Sequence, residues 1–388
     1  MSGFRLGIYM HVPFCVKKCS YCSFVSYAQR PDGAFSYEYA RALLDELKAR
    51  APACCGEMDG WTLYIGGGTP TVLDKDALAW LVTGAIDAMK AKGWAGPAEA
   101  SVEANPGTFS HRGAAGLVKA GVTRFSIGVQ SLVDSELKAI GRIHSAEDAE
   151  MAVQAARASG ARSVSVDLMT GLPGQDLASL AATLEGIAHF KPDHVSCYAL
   201  TLEDGTPLKE AVEEGEVDVP GDDESADLME LASSALEAMG LLRYEISNYA
   251  RPAHECLHNL GYWSDMPYLG LGAAAHSYYT ADLVRSWNVD GTKEYMERIG
   301  RGGAAEAGRE QLTRRAALTD HLILALRTSA GASIGDIEAR HGLKLEPRQL
   351  DALAWAKANG LLFLDEEGRA KLTRKGFMLS NSLFAKLV

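Results

Sequence analysis

The first two hundred residues alternate between short β-branched or apolar runs and longer helical patterns, and this alternation narrows the fold more than any other feature of the chain. Strands are expected over residues 6–12, 62–65, 99–103, 124–129, 163–168 and 194–200. Helices are expected between them over 34–49, 76–92, 112–120, 146–159 and 177–189. Parallel neighbours need a crossover of a dozen or more residues, so six strand–helix steps predict an α/β domain around a parallel sheet. Such sheets present their functional groups at the C-terminal ends of the strands.

The remainder of the chain departs from that rhythm. The acidic stretch 213–224 reads as a solvated loop, followed by a helix over 225–239 and a strand over 242–249. Gly- and Ala-rich sequence over 301–308 reads as a linker, dividing the chain into residues 1–300 and 301–388. Beyond it, helices over 316–327, 334–341 and 348–359 precede a hairpin over 361–373 and a last helix, the order of a winged-helix-like domain. From Glu310 onward there are 12 Lys and Arg against 9 Asp and Glu. With no basic cluster to mark a recognition helix, a structural or interaction role is expected there, not DNA binding.

Whole-chain charge agrees. The formal net charge of −12 opposes general nucleic-acid binding and a basic membrane-surface role. The N-terminal sequence lacks the pattern of a secretory signal, and no run of 18 apolar residues suggests a membrane span, so a cytoplasmic location is expected. Seven cysteines in 388 residues are odd in number and too sparse for a disulfide scaffold.

Three of those cysteines, Cys15, Cys19 and Cys22, form C-x3-C-x2-C directly after the first strand. Three thiolates on one tight loop can hold three corners of a [4Fe–4S] cluster and leave the fourth iron open to a chelating molecule. Spacing alone also admits a Cys3His zinc site with His11 as fourth ligand, or plain thiols. Cys54 and Cys55 read as a loop pair without chemistry, and Cys197 as a small buried hydrophobe.

The segment Tyr9 to Cys22, Y-M-H-V-P-F-C-V-K-K-C-S-Y-C, resembles the opening of radical SAM enzymes of the oxygen-independent coproporphyrinogen oxidase group. The resemblance continues in order through Y-I-G-G-G-T-P-T, S-V-E-A-N-P-G-T, F-S-I-G-V-Q-S, G-R-I-H, D-L-M-T-G-L-P-G-Q, Y-L-G-L-G and L-T-R-K-G, and so covers nearly the whole chain. It implies a partial (β/α)6 TIM-like barrel with accessory elements and a helical C-terminal domain. It implies that Cys15, Cys19 and Cys22 hold a [4Fe–4S] cluster whose open iron binds S-adenosyl-L-methionine (SAM), and that an electron donor feeds the cluster. By position in these motifs, Tyr9, Tyr21, Gly67, Gly68, Thr69, Glu103, Gln130, Arg142 and Asp167 match family contacts to SAM. The residue types suit that ligand: glycines allow close backbone approach, carboxylates accept from hydroxyl or ammonium groups, and arginine clamps a carboxylate.

Two departures distinguish branches of the group. The oxidases extend the motif to C-x3-C-x2-C-x-C, whereas Ser23 and Phe24 follow Cys22 here, and only 14 residues precede Cys15. The segment His258–Trp263, H-N-L-G-Y-W, resembles the H-N-x-x-Y-W signature of the HemW-type haem chaperone branch. That likeness implies haem or porphyrin as cargo, recipient haemoproteins as partners, and membrane contact only peripherally through them. His258, Tyr262 and Trp263 are the candidate haem residues, and His254 and Cys256 stand close enough to offer an axial ligand as well. His276 has no assigned role. The alternative activity is oxidative decarboxylation of coproporphyrinogen III to protoporphyrinogen IX; a third is radical chemistry on another tetrapyrrole.

Overall fold

The computed structural model describes residues 4–54 and 60–388; Cys55 lies outside the described residues. Six parallel strands stand side by side in chain order: β1 (Phe4–Val12), β2 (Gly60–Gly67), β3 (Glu99–Ala104), β4 (Arg124–Gln130), β5 (Ser163–Thr170) and β6 (His194–Ala199). The crossover helices Gly33–Arg50, Lys75–Ala91, His111–Ala120, Ala146–Ala158 and Leu177–Phe190 fall within two residues of the expected ends. Each starts on a side chain that accepts a free helical N–H: Asp32, Asp74, Ser110, Ser145 and Asp176. Such caps each stabilise a helix by about 1 kcal/mol and fix where it begins.

The strands are two-faced. Ile8, Met10, Leu63, Ile65, Val102, Phe125, Ile127, Val129, Val164, Val166 and Val195 are buried in one apolar core with the helices. Side chains alternate along a strand, so the opposite face carries Tyr9, His11, Thr62, Tyr64, Ser101, Glu103, Ser126, Ser165, Asp167, His194 and Ser196. Register aligns these polar groups across neighbouring strands: Glu103 faces Ser126, and Asp167 is paired with Gly128 on one side and Ser196 on the other. The barrel interior is therefore polar by sequence period, while its outer wall is the main hydrophobic core.

Further strands extend both edges to make a twelve-stranded sheet. Two short strands, β7 (Leu242–Arg243) and β8 (Asn248–Ala250), lie beyond β6. Residues 242–249, expected as one strand, are thus a hairpin with Tyr249 opposite Arg243, and Glu245 accepts the Ser247 N–H at its turn. The other edge carries β9 (Tyr268–Leu271), parallel to β1, then β10 (His276–Tyr279), β11 (Val284–Asn288) and β12 (Glu306–Gln311), all antiparallel. The expected linker is only the short segment 301–305 before β12, so the change from one core to the other comes after Gln311. The acidic loop is also shorter than expected, because Asp222, Asp223 and Glu224 form the first turn of helix Asp222–Ala238, where negative side chains suit the N-terminal dipole.

The C-terminal domain follows expectation closely. Helices Arg314–Leu326, Ile334–His341 and Pro347–Ala358 precede the hairpin Leu362–Leu364 with Ala370–Leu372, then Arg374–Met378 and Ser380–Leu387. Leu318, Leu322, Leu326, Ile337, Leu353 and Leu383 build its separate core. No helix among the described residues is long and apolar enough to cross a membrane.

Candidate functional site at the strand ends

The three clustered cysteines sit on the loop that leaves β1. Cys15 lies in the two-residue strand Phe14–Cys15, held beside Tyr27–Ala28, and the Cys22 N–H donates to the Cys19 carbonyl at 3.3 Å. All three thiols are free and half-buried. Thr69 Oγ1 and Arg142 Nη1 each approach one sulfur at 3.7 Å, on Cys15 and Cys19 respectively. Burial pushes the Cys15 thiol up, an effect the Thr69 hydroxyl offsets only in part.

His11 is not a fourth ligand. Its Nε2 faces the Val25 carbonyl at 2.9 Å and must donate, so its Nδ1 accepts from the Tyr9 hydroxyl at 2.9 Å. With both ring nitrogens engaged, the Cys3His zinc alternative loses its histidine.

The glycine segment packs closely against the cysteine loop. Gly67 has φ +113°, and a Cβ there would stand 2.3 Å from His11 Nδ1; a Cβ on Gly68 would meet the Phe14 backbone at 2.7 Å. The Gly68 N–H donates to the Val12 carbonyl, and the Thr69 N–H to that of Phe14. These glycines let the β2 end dock onto the cysteine loop, so their close approach is to this chain's own backbone and His11 ring.

Glu103, Gln130, Arg142 and Asp167 gather at the neighbouring strand ends. Glu103 accepts from the Gly67 N–H at 2.9 Å and the Tyr64 hydroxyl at 2.8 Å. Burial nevertheless raises its pKa from 4.5 to about 7. Asp167, also raised by burial, accepts from the Ser126 hydroxyl at 3.0 Å. Gln130 ends β4 at φ 68°. Arg142 donates to Asn105 Oδ1 at 3.1 Å and to the Gly128 carbonyl, while its Nε is buried without a partner. Tyr21 packs against Ile140, Met169 and Leu172, its hydroxyl raised by burial. Asn105, which joins Arg142 to Thr69 Oγ1 at 2.7 Å, is a structural member that sequence reasoning missed, although it stands inside the S-V-E-A-N-P-G-T motif.

The H-N-L-G-Y-W segment lies beneath these groups: its Asn259 lines one small interior cavity with Glu103 and Asp167, and His258 stacks on the Tyr64 ring at 5.1 Å. It forms helix Leu257–Trp263 against the opposite end of the barrel interior, where Glu99, the first residue of β3, accepts the Leu257 and His258 N–H groups. His258 is only 1% exposed; its Nδ1 meets Thr62 Oγ1 at 2.8 Å and its Nε2 meets the Tyr262 hydroxyl at 2.9 Å. Burial lowers its pKa to about 3. In this arrangement His258 is a satisfied structural histidine with no nitrogen left for iron, and buried Cys256 is likewise turned to Glu99. Trp263 lies under the Arg327 guanidinium, 5.7 Å from its ring centre, at the contact with the C-terminal domain. Tyr262 lines a cavity of about 640 Å³ at the open side of the barrel, with Tyr9, Phe24, Tyr268, Tyr278, Arg285 and the exposed His276.

The chain is 35% identical over 392 residues to the heme chaperone HemW of Mycobacterium tuberculosis, covering 100% of this chain and 96% of that one. The chain belongs to the HemW family of radical SAM proteins. The HemW of Bacillus subtilis is 34% identical, with 97% of each chain covered, and that of Escherichia coli is 38% identical over 276 residues, covering 71% of this chain and 70% of that one. Residues 9–187 match the radical SAM superfamily, and residues 312–379 match the HemN C-terminal domain. The fold is that of the Escherichia coli coproporphyrinogen III oxidase HemN, a radical SAM enzyme, with a TM-score of 0.81 over 99% of this chain and 90% of that one at 24% identity. Within this HemW-family chain, the cysteine loop, Thr69, Asn105 and Arg142 thus stand together at one barrel end, and the signature helix closes the other.

Proposed function

We propose that this chain is a haem chaperone that holds a [4Fe–4S] cluster on Cys15, Cys19 and Cys22, binds SAM across the strand ends, and passes haem to recipient haemoproteins. The observation that carries the cluster and SAM is the set of free thiols flanked by donors, with an orphan Arg142 Nε buried beside them. Such a donor set fits an anionic cluster and leaves one charged N–H for a further acceptor. When bound, the cluster would supply an electron to the SAM sulfonium.

This chain's own residues then act in fixed ways. Arg142 and Thr69 direct N–H and O–H groups at sulfur, and Asn105 holds both in place. Glu103 and Asp167 present carboxylates to a ribose diol or ammonium group. Gln130 and Tyr21 wall the same end of the barrel, and Tyr9 lines the adjoining aromatic cavity. Haem enters as cargo in the aromatic cavity at the open side, where Tyr262 offers a ring face and Arg285, paired with Asp320 at 2.7 Å, would exchange that carboxylate for a propionate. The accessible imidazole on that wall is His276; His258 reaches iron only if helix Leu257–Trp263 leaves the barrel end.

Support for a chaperone over an oxidase comes from the full-length relatives and from Ser23 and Phe24 in place of a fourth cysteine. The test is to reconstitute the cluster anaerobically and supply SAM, reductant and coproporphyrinogen III. No protoporphyrinogen should form, and haem should give a stoichiometric Soret shift that His276→Ala weakens and His258→Ala leaves in place. Catalytic turnover to protoporphyrinogen would overturn the chaperone reading, and loss of the shift in His258→Ala alone would return the ligand to the signature helix.

A further inference from the structure

A second cluster of metal-ligating groups lies away from the cysteine loop. Asp265, His321 and His341 bring a carboxylate oxygen and two ring nitrogens within 4.8 Å of one another, and theirs is the one such group among the described residues. His321 Nδ1 and His341 Nε2 stand 3.2 Å apart, and His321 Nδ1 is 3.8 Å from Asp265 Oδ2. A tetrahedral zinc ion with bonds of about 2.0–2.1 Å to nitrogen sets its ligand atoms about 3.3–3.4 Å apart. The histidine pair, which shares a hydrogen bond at 3.2 Å, needs to move only a few tenths of an ångström, and to give up that bridging proton, to reach this spacing.

The three residues come from three elements. Asp265 follows the signature helix Leu257–Trp263, His321 is on helix Arg314–Leu326, and His341 ends helix Ile334–His341. All are largely buried, at 4%, 12% and 8% exposure. Asp265 also sits at φ 53°, a left-handed conformation where glycine or asparagine is usual after a helix. Arg340 Nη2 braces the same carboxylate at 3.0 Å from Oδ2 and also donates to the Asp265 carbonyl.

We propose that Asp265, His321 and His341 bind one divalent transition-metal ion of the zinc class, which clamps the C-terminal domain to the segment closing the barrel. The donor set is two imidazoles and a carboxylate without thiolate, which suits a borderline divalent ion, with water completing its coordination. Asp265 also lines the 640 Å³ cavity, as do Asp320 and Leu324 on either side of His321. Occupancy would therefore tie the cavity wall to the domain contact.

The experiment uses the full chain with its iron–sulfur cluster reconstituted, dialysed against micromolar Zn²⁺, with zinc and iron counted by mass spectrometry. One zinc per chain is expected beyond the cluster iron. His321→Gln and His341→Gln should each weaken zinc binding at least about tenfold at unchanged iron content. Zinc should raise the unfolding midpoint of the parent and not of either variant. Background zinc in the parent overturns the site, as does zinc retained at full stoichiometry in both glutamine variants. Unchanged iron content shows that the barrel of each variant remains folded, and a zinc-free unfolding midpoint equal to the parent's shows the same of the C-terminal domain, so loss of zinc is then read as loss of the ligand.

Discussion

Replacing Glu103 by Gln gives the sharpest test of the polar barrel interior. Glu103 titrates at about 7 against an ordinary 4.5, because burial penalises its charged form more than the Tyr64 and Gly67 hydrogen bonds favour it. For an acid raised in the folded chain, the stabilising contribution of the bound proton is complete below pH 4.5 and is lost as pH rises through 7. The ionised side chain thus costs about 1 kcal/mol at pH 5 and about 3 kcal/mol at pH 8 relative to a neutral isostere. Gln removes that cost, but its amide can accept only one of the two donors that Glu103 accepts, a loss of about 1–2 kcal/mol that does not depend on pH. Glu103→Gln should therefore match the parent near pH 5 and exceed it in stability at pH 8, the gap growing by about 2 kcal/mol. Urea unfolding followed by tryptophan fluorescence, in parallel on both proteins from pH 5 to 8, measures this, and the titration of Asp167 largely cancels in the difference. A gap that stays flat to within about 0.5 kcal/mol would refute a raised Glu103 pKa. SAM affinity should meanwhile fall, since the charge that destabilises the fold is the one offered to the ligand.

Other substitutions test single contacts. Gly67→Ala forces a Cβ into the His11 ring at φ +113° and should destabilise by about 2–4 kcal/mol in the unfolding midpoint, whereas Gly116→Ala, on an exposed helix position with open space around it, should stabilise by about 0.5–1 kcal/mol. Arg142→Met removes the donor to Cys19 sulfur, so potentiometry on the reconstituted protein should find a more negative cluster potential; an unchanged value would show that Arg142 does not address the cluster. Thr62→Val deprives the His258 ring of one partner and should cost about 1–3 kcal/mol in urea unfolding while haem titration is unaffected. Leu322→Ala empties a fully buried position in the C-terminal core and should cost about 2–5 kcal/mol, read as a fall in the denaturation transition of that domain.

The strand and helix pattern was legible because it is local. Caps such as Asp32, Ser145 and Asp176 and the alternation of Ile127 and Val129 with Ser126 and Gly128 are short-range signals, and they set element ends to within a few residues. The hairpin at 242–250 was less so, since one strand and two short arms share the same apolar content and only the pairing of Tyr249 with Arg243 tells them apart. Of the candidate site, the cysteine loop and its neighbours were legible in order, because each motif ends a strand and parallel strands bring their ends together.

What the sequence determined alone is therefore the barrel, the polar lining that comes with period two, and the loop that gathers Cys15, Cys19 and Cys22. Tertiary structure decided which partners those residues meet. His258 looked free to ligate until Thr62, 196 positions away, and Tyr262 took both its nitrogens. Gly67 and Gly68 proved to face His11 and Phe14, and Asp265 met His321 and His341 across the domain contact. Local periodicity fixes which face of an element a side chain occupies, but hydrogen-bond saturation and burial depend on the element packed against that face, which sequence spacing does not encode.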